Sequence, residues 1–281
     1  MADFTKLINA ETEAEVDKYA AELNAELKKG KSVARLEFLD EVRGFCLLVM
    51  MAYHLFFIMG FLFDFDFGRQ AHEFMRPFTP VFSTLFILIA GFCVRYSKDL
   101  SKRGLKLAIF ALLISLFTIV LLPRFGIEDM IIWFGILHLL AIAKLLMAVW
   151  NKLFGKIPTL LGLPLSLLLF HFTSTVGERY FSFFGHLRLN LPAFLYETNW
   201  LLPLGFHSES FTTWDYFPLL PFLFMFLFGV FLGRLASDKL PKFCFRRMIV
   251  PLGWLGRHSL VVYLLHMPVF YFAIYVFNLL T

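Results

Sequence analysis

Three histidines stand in the middle of apolar runs, where an ionisable side chain is costly. His54 lies in "VRGFCLLVMMAYHLFFIMGFLF", His138 in "IIWFGILHLLAIAKLL" and His266 in "GRHSLVVYLLHMPVF". At a rise of about 1.5 Å per residue, each sits roughly 10–18 Å from the start of its run. That depth is the middle third of a hydrocarbon core about 30 Å thick. Ionisable residues at such depth face a bundle interior or a wet cavity. An imidazole, with an unperturbed pKa of about 6.5, can act there as a general base or a proton carrier. Structural hydrogen bonding accounts for any one of them. Three at one depth point to a shared polar chamber. Pro268, two residues past His266, cannot donate to the Leu264 carbonyl, so a kink and a freed acceptor are expected beside that histidine.

A second group gathers at the level where headgroups begin. Asp40 and Arg43 precede the first apolar run, and Arg257 and His258 precede the last. Arg95 and Arg103 flank and lie within the loop "RYSKDLSKRGLK", and Arg246 lies in "FCFRRM". Interfacial anchoring explains each alone; together they form a basic rim suited to phosphate oxygens of a cytosolic ligand. Cys46, Cys93 and Cys244 form no CxxC pair and no metal-ligand spacing, so no metal site is expected.

The elements that must position these groups follow from composition. Of 281 residues, 59% are hydrophobic, 17% are charged and 38 are phenylalanine, against about 25% charged in a soluble domain. The expected fold is all-α: a polytopic membrane bundle of about seven transmembrane helices. They are placed near 42–63, 77–95, 105–122, 130–150, 157–173, 216–235 and 258–279. Residues 190–206, broken by Pro192, Glu197 and Pro203, are too short to span and read as a re-entrant or interfacial helix. With the N-terminus inside and seven spans, only Arg69, Arg76, Arg124, Arg179 and Arg188 of the 26 basic residues fall outside. The positive-inside rule therefore gives N-in, C-out. Net charge +5 thus follows membrane topology and implies no nucleic acid. Residues 1–34 carry Val16, Ala20, Leu23 and Leu27 at helical spacing and have no signal-peptide h-region, so a cytosolic amphipathic helix is expected there. Residues 35–281 form the membrane domain. The long outer loop near 174–215 holds Trp200 and Trp214, with Tyr216 next to it; these could stack on a sugar or form an interfacial belt.

Six blocks carry a resemblance: "LDEVRGFCLLVMMAYH", "LFILIAGFCVRYS", "RGLKLAIFALLISLFTIVLLP", "FGILHLLAI", "DYFPLLPFLFMFLFGVFLG" and "LGRHSLVVYLLHMPV". In this order, over residues 35–281, the chain resembles bacterial membrane proteins related to heparan-alpha-glucosaminide N-acetyltransferase. The resemblance implies an acetyl-CoA-dependent transmembrane O- or N-acyltransferase of the bacterial cytoplasmic membrane. Acetyl-CoA would bind inside, and an extracytoplasmic acceptor, typically a glycan amine or hydroxyl, would receive the acetyl group. A homodimer is implied as well. The animal enzymes carry Asn where His54 stands, and their catalytic His lies in the next outer loop. Here that loop, "DFDFGRQAHEFM", holds His72, so His54 and His72 compete for one role. Met267 stands where relatives often have Gln, and no N-terminal luminal domain is seen, so a heparan-derived substrate is not implied.

The expected roles are a general base at His54 or His72, with Asp40 and Arg43 ordering the inner mouth. His138, His266, Asp215 and Ser259 would form the chamber or bind substrate, with His138 or His266 donating to the carbonyl oxygen. Arg43, Arg95, Arg103, Arg246, Arg257 and His258 would hold the acyl-CoA phosphates. Direct transfer and an acetyl-histidine intermediate both remain open. The alternative class is a proton-coupled transporter with a histidine relay; the halves share no inverted repeat, which argues against it.

Overall fold

A computed structural model describes residues 36–97, 99–126, 130–154, 157–183, 186–213, 215–236 and 240–280. The N-terminal helix expected before residue 35 and Trp214 lie outside the described residues. Among the described residues nine α-helices follow in order: α1 Glu37–Phe57, α2 Asp66–Met75, α3 Thr79–Phe92, α4 Leu100–Leu116, α5 Ile136–Leu153, α6 Thr159–Thr173, α7 Leu219–Ala236, α8 Val250–Arg257 and α9 Ser259–Leu280. Single π-helical turns extend α1 (Ile58–Leu62) and α4 (Phe117–Leu121). With these turns, and with the 3₁₀ turns that carry α3 on to Tyr96 and α6 on to Glu178, seven of the helices are long and apolar enough to cross a membrane. The chain is an all-α, multi-pass integral membrane protein.

Close backbone packing, rather than apolar bulk, joins the helices. Lipid tails are as apolar as leucine, so helix association in a bilayer depends on small residues that let backbones approach. A Cβ on Gly44 of α1 would land on the Leu252 carbonyl oxygen of α8, and one on Gly256 of α8 would land on that of Asp40 in α1. The same reciprocal exchange joins α3 and α7: Gly91 lies against the Phe226 carbonyl and Gly229 against that of Leu88. Between these pairs and α5 lies the main core, with Ile87, Ile136, Leu139 and Phe226 sealed from solvent.

Charged residues at the start of α1 add the second lock. The buried Glu41 carboxylate accepts the backbone N–H groups of Met248 (2.6 Å) and Ile249 (2.9 Å), satisfying donors that the start of α8 would otherwise leave orphaned. Glu37 pairs with Arg257 at 2.7 Å and Arg247 at 3.5 Å. Hydropathy could not reveal α8, because it is one short helix folded back along α1.

Two expectations change in detail. The fourth span starts at Ile136 rather than near 130. Residues 131–134 are instead stitched to Thr213 and Phe217, through Thr213 Oγ1 to the Ile131 carbonyl (2.8 Å) and Phe217 N–H to that of Phe134 (3.0 Å). Among the described residues, 190–206 holds no re-entrant helix but two short 3₁₀ turns, Ala193–Tyr196 and Leu202–Leu204. They follow a β-hairpin of β1 (Tyr180–Phe183) and β2 (Leu187–Asn190) paired Tyr180↔Asn190 through Phe183↔Leu187. The last helix, α9, runs continuously through Pro268, which has no N–H for the Leu264 carbonyl.

Candidate active site

One face of α1 and one face of α9 run side by side and carry the groups singled out by type. On α1, Arg43, Leu47, Met50 and His54 recur at three- and four-residue intervals, which stacks them on a single helical face. Ser259, Tyr263 and His266 do the same on α9. Two cavities open along this shared wall.

The first, about 300 Å³, lies at the basic end and is bounded by Arg43, Arg103, Lys106, Lys144, Ser259 and Tyr263 with apolar residues between. Its described lining contains no acidic residue, so its field favours an anion. Arg43 reaches Asp40 at 3.5 Å and Cys93 Sγ at 3.2 Å, which holds the guanidinium against the wall. Lys144 enters from the face of α5 that also presents Leu137 and Leu140, and its ammonium stands 6.0 Å from the Phe226 ring.

The second cavity, about 520 Å³, lies towards the opposite end. It is lined by His54, Thr118, Asp215, Tyr263, His266 and a majority of apolar side chains. Tyr263 lines both cavities.

The hydrogen bonds between them have a direction. His266 Nδ1 lies 2.6 Å from the Tyr263 carbonyl, which can only accept, so Nδ1 carries the proton and Nε2 the lone pair. His54 Nδ1 lies 2.8 Å from that Nε2 and must donate to it. In the neutral pair, His54 Nε2 is then the basic nitrogen. His266 stands to His54 as an orienting partner, fixing tautomer and ring plane; with both its nitrogens engaged it has no N–H for a substrate carbonyl.

Beside the pair, the Tyr263 hydroxyl donates to Asp215 Oδ2 (2.7 Å), which also accepts the Ile136 N–H (3.3 Å) at the first turn of α5. A carboxylate is favoured at a helix N-terminus, yet burial outweighs both bonds and pushes the Asp215 carboxyl above the usual range. Gly135 permits this approach, since a Cβ there would strike Asp215 Oδ2.

His138 goes elsewhere. Its Nδ1 accepts the Gly135 N–H (3.2 Å), so Nε2 donates to Ser115 Oγ (3.2 Å), and Ser115 in turn donates to the Ile132 carbonyl (2.7 Å). Both nitrogens are spent tying the start of α5 to α4. The structure thus brings together two of the three mid-depth histidines.

His72 lies on α2, buried, stacked on Tyr53 at 4.3 Å and edged by Phe61 at 5.1 Å. Among the described residues neither ring nitrogen has a hydrogen-bond partner, although Glu73 Oε1 stands 3.8 Å from Nδ1, and His72 lines neither cavity. Burial holds its imidazole below the usual range, so it packs as a neutral ring. A group whose folded pKa is depressed costs stability once pH falls below the unfolded value, about 6.5 for His. Acidification from pH 7 through that value is therefore expected to lower the melting temperature of the wild type more than that of His72→Phe, which keeps the stack. A thermal melt at each pH checks this.

Of the basic set, Arg43 and Arg103 line the cavity. Arg257 is held by Glu37, Arg95 points its guanidinium to the Arg234 carbonyl (3.3 Å), His258 lies tilted against Trp254 at 4.7 Å, and Arg246 is exposed. Sequence reasoning left out Lys106, Lys144 and Tyr263 as site residues. A lysine within "AIAKLLMAV" was itself a signal, since a charge inside a span has a reason, and Tyr263 stands three residues before His266, on the same helical face.

The described residues hold no cluster of histidine, cysteine and carboxylate groups able to bind a metal ion. The family model described as "Heparan-alpha-glucosaminide N-acetyltransferase, catalytic" matches residues 35–268. A search of curated proteins and of solved structures finds no match to this chain.

Proposed function

The chain belongs to the heparan-alpha-glucosaminide N-acetyltransferase catalytic-domain family, and on that premise we propose how this membrane acetyltransferase works. Acetyl-CoA enters the basic cavity from the cytosol, with its phosphates against Arg43, Arg103, Lys106 and Lys144. Its thioester reaches forward to Tyr263. An extracytoplasmic acceptor, a glycan hydroxyl or amine, meets it from the second cavity. Tyr263, the residue common to both cavities, is the observation that carries this reading.

His54 is the general base. As the acceptor oxygen or nitrogen attacks the thioester carbonyl, its proton passes to His54 Nε2, and His266 holds the ring in place. The tetrahedral intermediate collapses with cleavage of the C–S bond, and the imidazolium returns the proton to the departing CoA thiolate. Tyr263 walls the passage between the cavities, and with its one hydroxyl proton given to Asp215 Oδ2 it positions the thioester and does not donate to its carbonyl. Asp40 orders Arg43, Ser259 lines the inner mouth, and the cytoplasmic membrane of a bacterium is the setting. His138 is a helix latch in this mechanism.

CoA and acetyl-CoA are expected to raise the melting temperature of the purified protein, as any ligand of the native state does. Arg103→Ala combined with Lys106→Ala should remove most of that shift and raise the apparent KM for acetyl-CoA about tenfold or more, each lost charge-assisted hydrogen bond costing about 1.5–3 kcal/mol. A protein that ignores CoA but responds to a solute and to pH would instead be a proton-coupled transporter.

A further inference from the structure

The second cavity has a side as well as a mouth. Its walls are Ile114 of α4, Phe117 of its extension and Leu122 just beyond, and Leu264, Met267 and Phe272 from α9. Yet α4 packs along α5, while α9 packs on α1 and α8, and the two helices make no extended contact with each other. Phe117 and Phe272, one from each wall, are 48% and 67% exposed. The cavity therefore opens laterally between two helices, each long and apolar enough to cross a membrane.

Its polarity is one-sided. His54, His266, Asp215 and Tyr263 sit together and bond to one another, and the Thr118 hydroxyl is taken up by the Ser115 carbonyl and the Ile132 N–H. The remaining wall is almost wholly apolar. A free sugar placed here would exchange hydration of every hydroxyl for few partners, which is unfavourable. An alkyl chain entering from the bilayer gives up no hydration here, and exchanges lipid tails for Phe, Leu and Met side chains.

We infer that the acceptor is a lipid-linked glycan. Its chain enters sideways between α4 and α9, and one sugar hydroxyl or amine is held against His54. This rests on the acyl-transfer reading above and names the substrate class of the same site. A soluble amino sugar would be a poor acceptor, because it uses the polar end and leaves the apolar wall empty.

The test uses the full chain in phospholipid nanodiscs with acetyl-CoA and three acceptors: glucosamine, an alkyl glucosaminide, and the same glucosaminide with a diazirine at the chain end. The alkyl compound is expected to show a kcat/KM at least tenfold above that of glucosamine. Photolysis should label residues within 114–122 and 264–272, and excess unlabelled glucosaminide should displace the label. Equal turnover of glucosamine overturns the inference. So does label elsewhere, undisplaced label of the boundary-lipid kind, or no label because a second copy covers the gap. Stabilisation by CoA separates the two levels: its loss sinks the acyl-transfer reading, and its retention in a failed labelling sinks the lipid-linked acceptor alone.

Discussion

His54→Ala is expected to lower kcat for acetyl transfer by about 10²–10⁴-fold, the usual contribution of a positioned general base. Stabilisation by CoA should survive, because Arg43, on the same face of α1, stands eleven residues away, roughly 16 Å. The prediction is sharp because the direction of the hydrogen bonds leaves a single nitrogen as proton acceptor. His266 Nδ1 is committed to a carbonyl, so His54 Nδ1 must donate and Nε2 must receive. His266→Ala should cost less, since it loosens the ring and removes no base. It should also change the pH profile of kcat, which a packing defect alone would not do. His72→Ala should keep near-normal turnover while melting earlier, because the ring packs on Tyr53 and Phe61 and faces neither cavity. Single-turnover measurements on the three variants decide the matter. Normal turnover in His54→Ala with loss in His72→Ala would move the base to α2. Acid quench followed by intact-mass analysis separates direct transfer from an acetyl-histidine intermediate.

Gly256→Leu should abolish the folded, monodisperse protein. A Cβ at residue 256 lands on the Asp40 carbonyl oxygen, and that atom belongs to a helix backbone that cannot rotate away. Overpacking in ordinary cores costs about 1–3 kcal/mol. Here the collision is with main chain, and forcing α8 outward would also pull Met248 and Ile249 from Glu41 and Arg257 from Glu37. Breaking those bonds would leave a buried carboxylate unpaired, so the loss should lie beyond that range. Size-exclusion chromatography in mild detergent gives the readout. Gly256→Ala, which keeps the same clash with a smaller group, should be intermediate, whereas Trp254→Leu on the exposed face of α8 should be tolerated. A well-folded Gly256→Leu protein would show that α1 and α8 do not pack at this distance.

The sequence by itself determined the quantities that a bilayer selects one helix at a time. The number of spans, their approximate limits and the depth of His54 and His266 follow from apolar run length, and the basic bias of the loops follows from where charge is tolerated. Six ordered blocks were enough to identify the family. Only the tertiary structure decided which side chains meet. Depth is a coordinate along one helix, and two residues at one depth touch only if their helices turn the right faces together. His266 turns towards His54, while His138, placed by the corrected start of the fourth span in the first turn of α5, turns to Ser115 and closes the start of its own helix. The charged opening of the first span divided in the same way: Arg43 faced a cavity, whereas Glu37 and Glu41 anchored a short helix that hydropathy does not register. Lys144 and Tyr263 entered the site because α5 and α9 each turn a face to the cavity that Arg43 of α1 also lines. Rotation about a helix axis is fixed by packing between helices, through glycine contacts and buried carboxylates distant in sequence, so no single segment contains that information.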